Sequence, residues 1–212
     1  MQRTDLLIER LEAIGTSLKQ NPNGLALIGL GSVGKELERL DLYSDLDFYA
    51  IVREGTKHEF LDKLDWLESI SPVAFKFRNT DDGYKLLYAD GVFCEFAVFT
   101  LSELETAGYN EGRVIWADSE VPQNIATPKV TAERFEHSIE FLAGELLTNL
   151  YVGLCRFRRG EKCSAMRFVQ VYAIDRLISL LPHIFNTNSE SIDWYSPDRR
   201  LEQRHGPEQV DL

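Results

Sequence analysis

The sequence lacks the features of a secreted, disulfide-bonded or membrane-spanning protein. Its three cysteines, Cys94, Cys155 and Cys163, are odd in number and include no Cys-x-x-Cys pair, which argues against a disulfide framework or a zinc site. No apolar run approaches the roughly 18–20 residues needed to cross a bilayer. The first residues also lack the charged-then-apolar pattern of a secretory signal. We therefore expect a cytoplasmic protein with reduced thiols and no membrane partner.

Basic residues are scarce as well. The chain of 212 residues has 23 Lys and Arg against 34 Asp and Glu, for a net charge of −11. A protein that grips long nucleic acid needs a broad basic surface, so polynucleotide substrates, including RNA ends, are disfavoured. The hydrophobic content of 44% and charged content of 27% are those of an ordinary globular protein.

Hydrophobic spacing predicts a mixed α/β fold in residues 1–128, followed by a helical domain with a polar C-terminal tail in residues 129–212. Short apolar runs bounded by turn residues predict strands, and apolar residues at helical spacing predict helices. The predicted strands cover residues 25–30, 46–53, 72–78, 84–89, 92–99 and 113–117. The predicted helices cover residues 4–19, 31–40, 58–70, 131–157 and 163–181.

Residues 29–34 match the dinucleotide-binding pattern Gly-x-Gly-x-x-Gly and follow a predicted strand. That mechanism requires a long helix and then a second strand that ends in an acidic residue. Here only about ten residues separate Gly34 from the acidic pair Asp45 and Asp47, which precedes a strand instead of following one. The expected βαβ unit of about 30 residues does not fit, so the dinucleotide interpretation is rejected.

A different interpretation joins Gly31 and Ser32 to Asp45 and Asp47. Side chains two apart on a strand point to one face, so the two carboxylates can converge on one cation. Hard oxygen ligands suit Mg²⁺, which binds a few carboxylates together with substrate phosphates. Gly31 allows close approach of the backbone to a phosphate, and Ser32 adds a hydroxyl and an amide near a predicted helix start.

Glu95 is the candidate for a third carboxylate. It is the only charge among seven apolar residues in the predicted strand over 92–99. A buried carboxylate without a partner is costly, and a metal shared with Asp45 and Asp47 would supply one. Asp90 is the competing candidate, but it precedes Gly91 and is typical of a turn.

This combination of Gly31-Ser32, Asp45, Asp47 and Glu95 resembles the DNA polymerase β-like nucleotidyltransferase superfamily. The layout, with helices after the sheet, is similar to the aminoglycoside and lincosamide adenylyltransferases of antibiotic resistance. The resemblance implies a nucleotidyltransferase-type mixed β-sheet flanked by helices. It also implies that the three acids bind Mg²⁺, with two ions in the site, and that Gly31 and Ser32 bind the phosphates of ATP or another NTP. Residues 40–43 depart from the small or basic residues that are usual there.

The implied reaction transfers a nucleoside monophosphate to a hydroxyl of a small molecule, as the resistance enzymes do to antibiotics. The base could be Glu95, as in some members of the superfamily, or a glutamate of the first long helix, Glu140 or Glu145. A second hypothesis is an antitoxin-like or regulatory protein that uses the same fold to modify or bind a protein partner. The sequence leaves the acceptor, the NTP and the oligomeric state, including a homodimer, open.

Overall fold

The computed structural model of the protein describes residues 2–131, 137–185 and 192–205. The chain divides into two compact units, Met1–Thr131 and Ala132–Leu212. The first unit is a six-stranded mixed sheet with helices, and the second is helical. The predicted mixed α/β fold class with a C-terminal helical region is confirmed. No helix within the described residues is long and apolar enough to span a bilayer.

The sheet of the first unit has the order β3-β4-β5-β2-β1-β6. Its strands are β1 (Gly24–Leu30), β2 (Leu46–Val52), β3 (Val73–Arg78), β4 (Gly83–Tyr88), β5 (Phe93–Thr100) and β6 (Arg113–Ala117). The helices of this unit are α1 (Arg3–Gln20), α2 (Lys57–Leu61), α3 (Asp65–Glu68) and α4 (Leu101–Leu104). Strands β2 and β5 are parallel, and all other neighbouring strands are antiparallel.

The two faces of the sheet are covered by different parts of the chain. On the first face, side chains such as Phe48 and Phe96 form a core with helices α1 to α3. On the second face, a smaller core around Ile51 and Tyr109 is covered by the chain that follows β5. Along β5, buried residues alternate with half-buried ones, because successive side chains point to opposite faces.

Two predicted helices are wrong in detail. The helix predicted over residues 31–40 is replaced by two 3-10 turns, Gly31–Val33 and Leu37–Arg39. Between them, Gly34 has φ −87° and ψ −126°, outside the helical region, and a Cβ there would lie 2.8 Å from the carbonyl oxygen of Gly29. The chain therefore folds back against β1 and cannot continue as a helix.

The helix predicted over residues 58–70 is instead the pair α2 and α3. The indole nitrogen of Trp66 donates a hydrogen bond of 3.1 Å to the carbonyl oxygen of Phe60. The two rings also pack edge to face, with centroids 6.0 Å apart. This contact between α2 and α3 favours a bend over one continuous helix.

In the second unit, helix α5 (Ile139–Arg158) is joined to α6 (Lys162–Arg167) through the turn at Gly160, where φ is +83°. A π-helical segment, Phe168–Tyr172, leads from α6 into α7 (Ala173–Ile184), and a short helix α8 (Leu201–Arg204) follows. Part of the helix predicted over 131–157, and part of the polar tail predicted beyond residue 186, lie outside the described residues.

An ion pair between a buried arginine and an exposed aspartate attaches α1 to the turn between β4 and β5. Arg10 is 7% exposed, and its Nη2 lies 2.5 Å from Oδ2 of Asp90. The guanidinium also lies 4.3 Å from the centroid of the Tyr88 ring. Burial alone raises the pKa of the Asp90 carboxyl, but hydrogen bonds from Arg10 and from the amide of Val92 bring it below its ordinary value. Asp90 is therefore a structural residue in the β4–β5 turn.

The substitution Asp90→Ala should lower the free energy of unfolding by about 1–3 kcal/mol, because it leaves the charge of Arg10 buried without its partner. Since the folded pKa of Asp90 is depressed, the stabilisation is present above the ordinary value of about 3.9 and is lost as the pH falls through the folded pKa. Urea denaturation between pH 3 and pH 7 measures both effects. Glu12→Ala, which removes an exposed acid from α1, is the control and should change little.

Candidate active site

The candidate site forms where the end of β1 meets the start of β2. Antiparallel pairing places Leu30 opposite Asp47, and Gly31 follows directly. Gly31 has φ +53°, a left-handed conformation that favours glycine. A Cβ on Gly31 would lie 3.5 Å from Oδ2 of Asp47. The structure thus brings the glycine loop, with Ser32 half-buried in it, next to the carboxylate of Asp47.

One basic residue that the sequence did not single out contacts the glycine loop. From β6, Arg113 donates two hydrogen bonds to the carbonyl oxygen of Val33, at 3.3 Å from Nε and 3.1 Å from Nη2. Lys35 forms an ion pair with Glu111. The hydrogen bond from Lys35 lowers the pKa of Glu111. Only the pairing of β6 with β1 brings Arg113 to the loop, and the sequence gives no signal of that pairing.

The two aspartates flank Leu46 at the start of β2. Asp47 lies in the strand and Asp45 directly precedes it, and both are half-buried. Burial raises the pKa of the Cys94 thiol, and the negative charges of Asp45 and Asp47 raise it further. Since Cys94 is the register partner of Leu46, both carboxylates lie close to the same point of β5. None of the residues that the structure describes forms a hydrogen bond or an ion pair with Asp45.

Glu95 lies beside Asp47, because the two residues are register partners in the parallel pair β2 and β5. The expectation that Glu95 is buried is wrong, since its side chain is 44% exposed. It lies on the second face of β5, whereas only the first face carries the deeply buried residues. The apolar residues around it in sequence therefore do not enclose its carboxylate.

Two residues of the β3–β4 hairpin hold the carboxylate of Glu95. Oε2 lies 3.1 Å from Nζ of Lys85, which is its register partner on β4. Oε1 accepts a hydrogen bond of 3.1 Å from Nδ2 of Asn79. Sequence reasoning missed both partners. The turn at residues 81–83 could have predicted the register of the β3–β4 hairpin. Finding the partners of Glu95 also required the strand order, which places β4 next to β5.

The three predicted metal ligands, Asp45, Asp47 and Glu95, lie in or directly before neighbouring strands but are not arranged as one ligand set. Among residues 2–131, 137–185 and 192–205, no three Asp, Glu, His or Cys side chains are arranged to hold a metal ion. The contacts of Glu95 draw its carboxylate towards β4, whereas Asp47 lies on β2, on the other side of β5. The chemistry of Asp45 and Asp47 fits Mg²⁺, which needs only one or two carboxylates in addition to substrate phosphates.

Comparison with solved structures shows distant similarities, one of them to an adenyltransferase. The chain resembles an aminoglycoside 6-adenyltransferase from Bacillus subtilis, with 12% sequence identity and a TM-score of 0.35. The match covers 80% of this chain but only 64% of that protein, which is less than two thirds of its length. At this TM-score and identity, the similarity carries no conclusion about fold family, substrate or reaction. No protein-family model and no curated protein match the sequence.

A comparison of two glycine substitutions tests the role of the loop. Gly31 and Gly55 both have positive φ, +53° and +79°, but no atom lies within 4 Å of a Cβ built on Gly55. Gly31→Ala and Gly55→Ala should therefore both lose about 1–2 kcal/mol of stability in urea denaturation. Only Gly31→Ala should also reduce the thermal stabilisation produced by ATP with Mg²⁺, because its methyl group contacts Asp47. Equal ligand responses in the two variants would exclude the loop from the site.

Proposed function

We propose that the protein is an Mg²⁺-dependent nucleotidyltransferase that transfers a nucleoside monophosphate, most simply AMP from ATP, to a hydroxyl of a small molecule. The observation that carries the proposal is the register of three neighbouring strands. It places the glycine loop after β1, Asp47 on β2 and Glu95 on β5 side by side. A loop suited to phosphates, a pair of carboxylates and a candidate base are the groups that this chemistry requires.

The phosphates of the nucleotide would bind at Gly31 and Ser32. The absence of a side chain at Gly31 lets the backbone approach an anion, and Ser32 offers a hydroxyl and an amide. Gly31 and Ser32 lie in a 3-10 turn of only three residues, so binding would depend on these local donors and not on a helix dipole. Asp45 and Asp47 would hold Mg²⁺, which neutralises phosphate charge and stabilises the departing pyrophosphate when bound.

Glu95 is the proposed base. Its carboxylate would take the proton of the acceptor hydroxyl as the hydroxyl oxygen forms a bond to the α-phosphorus. The bond from the α-phosphorus to the bridging oxygen of the β-phosphate breaks, and pyrophosphate leaves. Lys85 and Asn79 orient the carboxylate before substrate arrives. Glu140 and Glu145, which are exposed on α5, are the alternative bases.

Asp47→Asn should reduce transfer of labelled AMP from ATP by more than about 100-fold, the upper range of losses seen even for outer-shell partners of a metal. The substitution keeps the shape of the side chain, so the melting temperature should stay close to that of the wild type. Asp62→Asn, which removes an exposed carboxylate at the end of α2, is the matched control and should keep full activity. Full activity in Asp47→Asn would refute the proposal.

Lys85→Met should lower the Mg²⁺ concentration needed for half-maximal thermal stabilisation at fixed ATP. The ammonium group of Lys85 draws the Glu95 carboxylate towards β4, so its removal frees Glu95 to add a third carboxylate to the Mg²⁺ site of the two aspartates. An exposed ion pair is worth up to about 1 kcal/mol, or about fivefold. Lys76→Met is the control, because Lys76 is similarly exposed and pairs with Glu68. A higher Mg²⁺ requirement in Lys85→Met would mean that Lys85 contacts the substrate instead.

The second candidate, modification or binding of a protein partner, is favoured by exposed apolar side chains on α5. Leu147, Tyr151 and Leu154 are 65%, 71% and 60% exposed, at a spacing that places them on one side of the helix. Incubation of the protein with α-labelled ATP and Mg²⁺ separates the two candidates. Label in a small-molecule hydroxyl compound supports the first, and label in a protein band supports the second.

A further inference from the structure

The register of the sheet aligns one row of side chains across the second face. Phe77 of β3 is opposite Lys85 of β4, which is opposite Glu95 of β5. Glu95 is opposite Asp47 of β2, and Asp47 is opposite Leu30 at the end of β1. Register partners lie on the same face of a sheet. The row therefore runs from the glycine loop, through the carboxylates, to the edge strand β3.

An apolar patch continues this row at the edge of the sheet. Phe75 is opposite Leu87, and Leu87 is opposite Phe93. The rings of Phe75 and Phe77 lie 5.8 Å apart, and the two residues are 56% and 45% exposed. We call Phe75, Phe77, Leu87 and Phe93 the ring patch. Contiguous exposed apolar surface often marks a binding site.

The direction of nucleotidyl transfer connects the ring patch to the site. In phosphoryl transfer the attacking and leaving oxygens lie roughly in line on opposite sides of the phosphorus. The leaving pyrophosphate would lie at Gly31 and Ser32, beyond Asp47 on the β1 side. The acceptor must then approach from the opposite side, over β5 and β4, where Glu95 and the ring patch lie.

We infer that the ring patch binds the acceptor, and that the acceptor carries a planar apolar ring with its hydroxyl directed at Glu95; this rests on the proposed function. Two strand spacings separate Glu95 from Phe77, about 10 Å, so a fused ring system spans the distance. Beyond Glu95 the row offers apolar side chains and the ammonium group of Lys85. Because Lys85 is paired with Glu95, the lining suits a neutral ring compound, and a polycationic amino sugar would find no carboxylate among the ring-patch residues.

Saturation-transfer NMR without nucleotide tests the binding, with 2-naphthol as the ring probe and kanamycin as the polycationic probe. Wild type should transfer saturation to 2-naphthol, and Phe75→Ala/Phe77→Ala should reduce the signal at least about fivefold. Phe77→Leu, which keeps apolar bulk without the ring, should give an intermediate signal. Val114→Ala, which removes an exposed apolar side chain from the opposite edge strand β6, should leave the signal unchanged.

An unchanged 2-naphthol signal in the double variant would overturn the inference, as would a kanamycin signal that exceeds it. The edge position of β3 also permits pairing with a second copy of the chain. Self-association in sedimentation that the double variant abolishes, without 2-naphthol binding, would assign the patch to that contact and overturn the inference.

Measuring both 2-naphthol binding and AMP transfer in Asp47→Asn distinguishes a failure of this inference from a failure of the proposed function. The variant should still bind 2-naphthol while it loses AMP transfer. If Asp47→Asn stays active, the proposed function fails even where 2-naphthol binds at the patch. If Asp47→Asn is inactive and wild type does not bind 2-naphthol, the ring-patch inference fails alone.

Discussion

The parallel pairing of β2 with β5 is the constraint on which the candidate site depends. Its hydrogen bonds fix Asp47 beside Glu95, and the antiparallel pairing of β1 with β2 fixes Gly31 beside Asp47. A slip of one residue in either pair would turn the carboxylates to the opposite face, into the core with Phe48. The buried side chains of the first face prevent such a slip, because they fit the helices in only one register. The packing of the core thus determines the geometry of a polar site on the other face.

Ion pairs connect the site to the rest of the first unit. Nζ of Lys57 lies 2.6 Å from Asp82 in the β3–β4 turn and 2.8 Å from Glu103 of α4. Burial alone lowers the pKa of Lys57, but the hydrogen bonds to both carboxylates raise it above its ordinary value. This contact anchors the hairpin that carries Lys85, which in turn holds Glu95. In a chain with an excess of acidic residues, the cations Arg10 and Lys57 thus join helices α1 and α2 to turns of the sheet.

The sequence was sufficient to predict the strands, the fold class and the proximity of Gly31 to Asp47, because these depend on local spacing. It was insufficient where contacts between distant parts of the chain determine the exposure and the partners of a side chain. A run of apolar residues around Glu95 does not reveal whether one face of a strand is buried or both. The pairing of Glu95 with Lys85 depends on strand order, which no local pattern encodes. Residues after Gly31 have the composition of a helix, yet the close approach of Gly34 to β1 breaks it. The roles of Asp45, Asp47 and Glu95 stay predictions.

The parallel pairing also has a consequence for how the protein folds. Strands β1 and β2 are close in the chain and can pair early. Strand β5 can pair with β2 only after the intervening chain, which carries α2, α3 and the β3–β4 hairpin, has crossed over the sheet. Such non-local contacts are slow to form, because a long loop must close first. Gly31 and Asp47 can thus meet in a partly folded chain, but Glu95 joins them only when the whole unit has formed. The candidate site would then come together in a single late step of folding, with no complete site in any earlier partly folded state.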